Sequence, residues 1–442
     1  MSVGVAVRNF FAVKQADINV GGITVLAGIN GCGKSSIARS LYEVLNGALN
    51  FDVHAEEFVS QNLIALSQSI ATVASNLSGF IPRNEANNIV AKCVYIFGKK
   101  TFEEKKNVVN EALDGMLKWA ESYEKAIPAS RTAFFRSAIS VLSVAVGDTQ
   151  PKEESMASFV GLLHRAKDKV AEIEANVLET IASRSNSVFQ SVWKRHNGNK
   201  GLETKKFNVL ENGVPICDTE RNIIGLPDSI KRVFYIDSPM AFNETESGRS
   251  YWNDLNKCLK REPVTDDFEV EDSDGSSGIL NGSFKWDEKR NDIVYTQPDG
   301  ISFDLSKNGA TGLKSFVIIR NLYMNGLVDE KTLLIMDEPE AHLHPQWIVR
   351  FARFLVLLRK KTKCRLFVSS HSTDMVSSLK YISEKELCES PDFYIAEQDD
   401  PFRFVYSFKF IKDDIEPIFE AFNKSFKLED SFSADGDDCG KT

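Results

Sequence analysis

Eight residues near the amino terminus, Gly28-Ile29-Asn30-Gly31-Cys32-Gly33-Lys34-Ser35, fit the spacing G-x-x-x-x-G-K-[ST]. Glycines at these positions let backbone N–H groups close on a phosphate chain, because a side chain would hold the backbone away from the phosphate oxygens. On this reading Asn30, Gly31, Cys32, Gly33, Lys34, Ser35 and Ser36 cradle the phosphates of a nucleoside triphosphate. Lys34 reaches the β- and γ-phosphates, and the Ser35 hydroxyl ligates Mg²⁺. Far downstream, the apolar run Leu333–Met336 ends in Asp337-Glu338-Pro339. Asp337 at a strand end is placed to hold Mg²⁺, directly or through water. Glu338, one residue on, points at a different spot and is placed to polarise the attacking water as a general base. Taken alone, Asp-Glu-Pro is a charged turn after a strand; beside the glycine-rich loop it reads as the second half of a nucleotide site. A third run, Arg365-Leu366-Phe367-Val368, ends in Ser369-Ser370-His371-Ser372. His371 is then positioned to hydrogen-bond the γ-phosphate or the catalytic water, against the plainer alternative of a structural histidine.

These groups need elements to bring them together. Ile23-Thr24-Val25-Leu26-Ala27 is a short apolar, β-branched run, as a buried parallel strand should be. From Ser35 to Val44 apolar residues fall at 37, 38, 41 and 44, which is helical spacing. The order is therefore strand, glycine-rich loop, helix. Shorter strands are expected at Val5–Val7 and Ala16–Val20, with Gly21-Gly22 as a tight turn. From about 55 to 195 the pattern is helical. Apolar residues recur at 109, 112, 113, 116, 120 and 123, and again at 159, 163, 166, 170, 173, 177 and 181. The second series alternates steps of four and three, close to a heptad seam, and reads as a compact helical insertion or short coiled coil. Strand character returns at 207–217, where Glu211-Asn212-Gly213 signals a hairpin, and at Arg232–Asp237. Residues 262–282 are acidic and rich in Gly and Ser, and the tail from 428 is acidic; both read as flexible. Asp272-Ser273-Asp274-Gly275 is no calcium loop, since no Glu stands at the twelfth position.

The 442 residues are 43% hydrophobic and 26% charged, an ordinary balance for a globular chain with two structural units. No apolar run approaches the length of a membrane span. The seven cysteines, at 32, 93, 217, 258, 364, 388 and 439, form no C-x-x-C pair. They argue for a reducing, cytoplasmic setting and against structural zinc. A net charge of −9 argues against general nucleic-acid binding, so any DNA contact must be a local basic surface. The densest basic stretch is Arg350, Arg353, Arg359, Lys360, Lys361, Lys363 and Arg365. A second glycine-containing loop, Ser306-Lys307-Asn308-Gly309-Ala310-Thr311-Gly312, opens a helix and offers another anion-binding geometry. One ATP can use both loops only if the second comes from another subunit.

Gly28–Ser35, Asp337-Glu338-Pro339-Glu340-Ala341-His342-Leu343-His344-Pro345 and Ser369–Ser372 together resemble the ABC-type ATPase heads of the SMC, RecF and OLD group. The Glu-Ala-His-Leu-His-Pro run is most similar to the OLD-like branch, and Ala310-Thr311-Gly312 resembles its degenerate signature loop. The resemblance covers about 1–80 and 230–400. It implies an α/β fold: an ABC-ATPase head, a P-loop mixed β-sheet with flanking helices, with a helical insertion between Walker A and Walker B. The corresponding division is 1–80 and 201–427 for the head, 81–200 for the insertion and 428–442 for the tail. The resemblance implies ATP and Mg²⁺ as ligands and a homodimer or higher homo-oligomer with ATP sandwiched between heads. Thr311 and Gly312 would then act across the dimer. It also implies a dimer contact at Glu340, His342 and His344. The family's Mg²⁺-contacting Gln is not recognisable, and Gln61 is a poor fit.

OLD proteins proper carry a TOPRIM nuclease after the ATPase, and the seventy or so residues after His371 read as too few for one. The chain therefore resembles stand-alone heads of anti-phage defence, the ATPase subunits of PARIS (AriA type) and of Septu or retron systems (PtuA type). The function implied is a sensor and scaffold holding a separate effector, a TOPRIM or HNH nuclease or a toxin, and released by a phage-encoded trigger. The alternative is a RecF- or SMC-like repair clamp on DNA. A transporter ATPase would need a membrane partner and an LSGGQ loop, which is not seen.

Overall fold

The computed structural model describes residues 2–77, 81–99, 101–123, 133–148, 153–197, 206–221, 223–237, 250–265, 282–297, 299–309, 311–400, 402–412 and 414–423. Most of the acidic loop, the acidic tail and Ala310 lie outside them. The chain divides into two units, one formed by Met1–Leu49 with Trp193–Thr442 and the other by Asn50–Val192.

The first unit opens with β1 (Val3–Phe10), β2 (Val13–Val20), β3 (Ile23–Ala27) and α1 (Lys34–Leu49). After the second unit come β4 (Lys206–Glu211), β5 (Val214–Asp218), β6 (Ile223–Ile224) and β7 (Arg232–Ile236). Then follow α8 (Ser250–Leu259), β8 (Ser283–Asp287), β9 (Asp292–Thr296), β10 (Ser302–Asp304), α9 (Leu305–Asn308) and α10 (Thr311–Met324). The chain continues through β11 (Thr332–Asp337), α11 (Pro345–Thr362), β12 (Arg365–Ser370), α12 (Thr373–Leu387), β13 (Asp392–Asp400), β14 (Arg403–Ile411) and α13 (Glu416–Phe422).

Eleven strands form one mixed sheet, ordered β6-β5-β4-β1-β2-β14-β13-β3-β12-β11-β7. The fold is α/β, as expected. Its parallel core, β13, β3, β12, β11 and β7, is built from apolar runs because most of these strands are buried on both faces: every residue of β3 is buried, as are five of the six in β11 and in β12. The antiparallel wing differs. β1 and β2 bury alternate residues and expose polar ones, so their sequence looks weaker than their structure, and both run longer than the apolar runs suggest. Asn212 and Gly213, both at positive φ, turn β4 into β5 as the hairpin signal indicated. A second, three-stranded antiparallel sheet of β8–β10 was not legible in the sequence.

The second unit holds α2 (Phe51–Asn76), α3 (Arg83–Tyr95), α4 (Phe102–Tyr123), α5 (Ala133–Val146) and α6 (Met156–Ser183), and its boundary at Val192 falls within α7 (Asn186–Asn197). The heptad-like series on α6 is buried at Phe159, Leu163, Ala166, Val170, Ile173 and Val177. It meets Val109, Ala112, Leu113, Met116 and Ala120 of α4 together with residues of α2, α3 and α5 in one shared core. The seam is thus the interior of a helical bundle and not a two-stranded coil. The bundle begins at residue 50 instead of 81, because α2 contributes Leu63, Leu66, Ile70 and Val73 to that core.

Phe159 is fully buried, whereas Leu178 on the same helix is 70% exposed. Phe159→Ala is expected to lower the unfolding free energy of the bundle by about 3–5 kcal/mol, and Leu178→Ala by less than about 0.5 kcal/mol. Urea unfolding followed by circular dichroism checks the pair.

Candidate nucleotide site

Three parallel strands end at one edge of the sheet in matched register. Ala27 of β3 lies beside Ser370 of β12, and Ser369 lies beside Asp337 of β11. The segment leaving β3 is therefore delivered to the carboxyl ends of β12 and β11, the edge where open α/β sheets bind ligands. Two backbone bonds tie the loops there: Gly28 N donates to Ser370 O at 3.4 Å, and Glu338 N donates to Ser369 O at 2.9 Å.

The glycines of the loop have local reasons to be glycine. Gly31 and Gly33 sit at φ +82° and +99°. A Cβ on Gly33 would also lie 2.4 Å from Val13 Cγ2, and one on Gly28 would lie 2.7 Å from both Cys32 Sγ and Ala396 Cβ. Conformation and packing at these positions thus join the approach to phosphate as causes. Cys32 is buried, with its thiol pushed up by that burial; Asn30, Gly31 and Ser35 are exposed and Ser36 is half-buried. The Lys34 ammonium is buried and donates to the carbonyls of Gly28 at 2.8 Å and Ile29 at 3.1 Å.

The acidic groups close the other side. Ser35 Oγ donates to Asp337 Oδ1 at 3.0 Å, joining two groups far apart in sequence. Ser369 Oγ donates to the same oxygen, and Tyr235 OH donates to Asp337 Oδ2 at 2.8 Å. Burial pushes the Asp337 carboxyl above its usual range despite these three hydroxyls. Burial likewise raises the Tyr235 phenol, and the Asp337 charge adds to it. A hydroxyl and a carboxylate oxygen meeting at the mouth of the loop are the hard oxygen donors that Mg²⁺ takes. Among the described residues no group of three His, Cys, Asp or Glu side chains is arranged to hold a metal ion.

Glu338 has φ +50°, an uncommon left-handed backbone for a non-glycine residue. Its Oε1 is 3.8 Å from Lys34 Nζ and 3.3 Å from His371 Nδ1. The hydrogen bond from His371 holds the Glu338 carboxyl below its usual range, and the same contact raises the imidazole. Glu340 was expected at a dimer contact. It is instead 5% exposed, and its Oε1 accepts from Ser370 Oγ at 2.6 Å and from His371 N at 3.0 Å. His371 Nδ1 lies 3.7 Å from it. Burial raises the Glu340 carboxyl. His342 and His344 are exposed.

Strand, loop and histidine thus bring Lys34, Ser35, Asp337, Glu338 and His371 together. Tyr235, Ser369 and Glu340 join them in roles the sequence reading did not assign. The Ser369-Ser370 pair was the available signal, since hydroxyls at a strand end beside carboxylates have bonds to make. Thr311 and Gly312 open α10. The segment before them is anchored to the small sheet: buried Asp292 accepts from Ser306 N at 3.2 Å and from the Ser306 hydroxyl, while Lys314 Nζ donates to Ser306 O at 2.7 Å.

Residues 323–377, from the end of α10 into α12 and so including Asp337, Glu338 and His371, match a family model described as "AAA domain, putative AbiEii toxin, Type IV TA system". No curated protein matches the chain. Among solved structures it is similar to the SMC head domain from Thermotoga maritima, at 11% identity over 48% of this chain and 71% of that one, with a TM-score of 0.24. It is also similar to the Smc head domain with an extended coiled coil bound to the C-terminal domain of ScpA from Pyrococcus furiosus, at 10% identity over 97% and 98%, with a TM-score of 0.30. The sheet, the glycine-rich loop and the acidic strand end, with the matched segment between them, support an ATPase of the P-loop class.

The Glu338–His371 pair makes a signed prediction. His371 is raised from 6.5, so its share of folding stability is complete below 6.5 and disappears as pH rises through the raised value. Glu338 is lowered from 4.5, so its share is present above 4.5 and disappears as pH falls through the lowered value. In Glu338→Gln the His371 titration, followed by NMR of the imidazole, is expected to move down toward 6.5. An unmoved titration contradicts the pairing.

Proposed function

We propose that the chain is a Mg²⁺-dependent ATPase that works as a homodimer and controls a separate effector in anti-phage defence. The observation carrying the catalytic part is the meeting of Ser35 with Asp337, and of Lys34 and His371 with Glu338, at one strand edge. Asn30, Gly31, Cys32, Gly33 and Ser36 would wrap the phosphates with backbone N–H groups and the α1 start. Lys34 would leave the Gly28 and Ile29 carbonyls for the β- and γ-phosphates. Ser35 and Asp337 would hold Mg²⁺, whose charge offsets that developing on the phosphoryl oxygens. Glu338, held as a carboxylate at neutral pH, would orient the attacking water and take its proton. His371, fixed by Glu340 through its own backbone N–H, would donate to the γ-phosphate or that water. Thr311 and Gly312, at the start of α10, would complete the site across the dimer.

The defence role is supported by the description of the matched family, which names a toxin of a toxin–antitoxin system. In it, ATP would hold the heads closed on a nuclease or toxin until a phage trigger frees it.

Lys34→Ala is expected to lose nucleotide binding. Glu338→Gln should keep binding while turnover falls by at least about 100-fold, read by phosphate release. A mixture of Lys34→Ala and Thr311→Ala chains should recover part of the turnover, because one of its two composite sites is intact; no recovery removes the shared site. Affinity capture from cells expressing the native gene neighbourhood should recover a nuclease or toxin, and its absence removes the effector role.

A further inference from the structure

At the opposite end of the parallel strands lies an open cleft of about 990 Å³. Its walls are the turns that enter β3, β7, β11 and β12, so it lies about 20 Å from the nucleotide site, one strand length away. Lys231, Lys331, Arg359, Lys363 and Arg365 line it; among its described lining residues the carboxylates are Asp228 and Glu330, and Glu211 stands behind the wall near Arg365. Among the described lining residues, five cations against two carboxylates leave three net positive charges, two once Glu211 is counted, on a chain whose total is −9. The basic run 350–365 is divided by the fold. Lys360 pairs with Glu386 at 2.9 Å, and Lys361 lies over the Tyr323 ring, whereas Arg359, Lys363 and Arg365 turn into the cleft.

The cleft is built, not merely charged. Arg359 donates to the carbonyls of Lys363 and Cys364, and Arg365 donates to the carbonyls of Ser229 and Glu330, so both guanidinium groups are held in place by backbone. Gly22 makes room for Arg359, since a Cβ there would meet its Nη2 at 2.9 Å. Burial lowers the Arg365 guanidinium and the neighbouring Arg359 charge lowers it further, partly opposed by the Glu211 and Glu330 carboxylates. Glu211 helps fix the wall by accepting from Asp228 N at 2.9 Å and Ser229 N at 2.8 Å.

We propose that this cleft is a second ligand site, one that takes a phosphate-bearing anion. Planar guanidinium groups flanked by lysines suit phosphate oxygens. The proposal does not depend on hydrolysis at the P-loop. Its test uses the full chain carrying Lys34→Ala, so that the P-loop lysine adds nothing. Two probes are titrated separately: inorganic pyrophosphate by calorimetry, and a fluorescein-labelled single-stranded oligonucleotide by anisotropy. At least one is expected to bind, with Lys331→Glu/Lys363→Glu weakening it at least tenfold, Lys331→Gln/Lys363→Gln weakening it less, and Lys285→Glu/Lys289→Glu leaving it unchanged. Pyrophosphate binding assigns the site to a small phosphorylated molecule. Binding of the strand alone assigns it to a nucleic-acid backbone, with affinity falling roughly twentyfold between 50 and 200 mM salt if three phosphates are held. Failure of both probes to bind, or an equal effect of the cleft and the Lys285/Lys289 variants, overturns the proposal.

Discussion

The register of three parallel strands is the constraint on which the site depends. Ala27 beside Ser370, and Ser369 beside Asp337, put the glycine-rich loop, the acidic pair and the histidine at one edge. Side chains on a strand alternate between faces, so a slip of one residue in β12 or β11 would turn Ser369 or Asp337 to the wrong side. The slip is resisted because Leu333–Met336 and Leu366–Val368 are fully buried and so fit only one arrangement of their neighbours. The apolar core and the polar site are thereby one structure: burial along the strands sets the geometry at their ends.

At that edge the charges are held by few atoms and shared among them. Asp337 collects three hydroxyls, Glu338 faces a lysine and a histidine, and Glu340 supports the histidine's backbone from beneath. Buried carboxylates without such partners would be strongly disfavoured. The left-handed backbone at Glu338 is one cost of this crowding, since it separates the carboxylates of Asp337 and Glu338 into different directions.

Much of this was legible in the sequence for a physical reason. Strands buried on both faces must be apolar throughout, so β3, β7, β11 and β12 stand out as runs. Lys34, Ser35, Asp337, Glu338 and His371 follow because they sit at the ends of those runs. β1 and β2 were underestimated, since Lys14, Gln15, Asp17 and Asn19 face solvent and interrupt the pattern. β8–β10 were missed because charged residues such as Lys285, Asp287 and Asp292 hide short strands. Tyr235 could not be assigned, as nothing in the sequence says that β7 lies next to β11. Glu340 looked like a surface residue because its partners, Ser370 and the His371 backbone, come from another strand.

The most direct test of the central claim is a double-mutant cycle on ATP affinity in the presence of magnesium, using Ser35→Ala, Asp337→Asn and the double variant. If the register places both groups on one ligand, the two changes are coupled by about 1–3 kcal/mol. Additive effects within about 0.5 kcal/mol would mean that Ser35 and Asp337 serve separate sites, and would contradict the account.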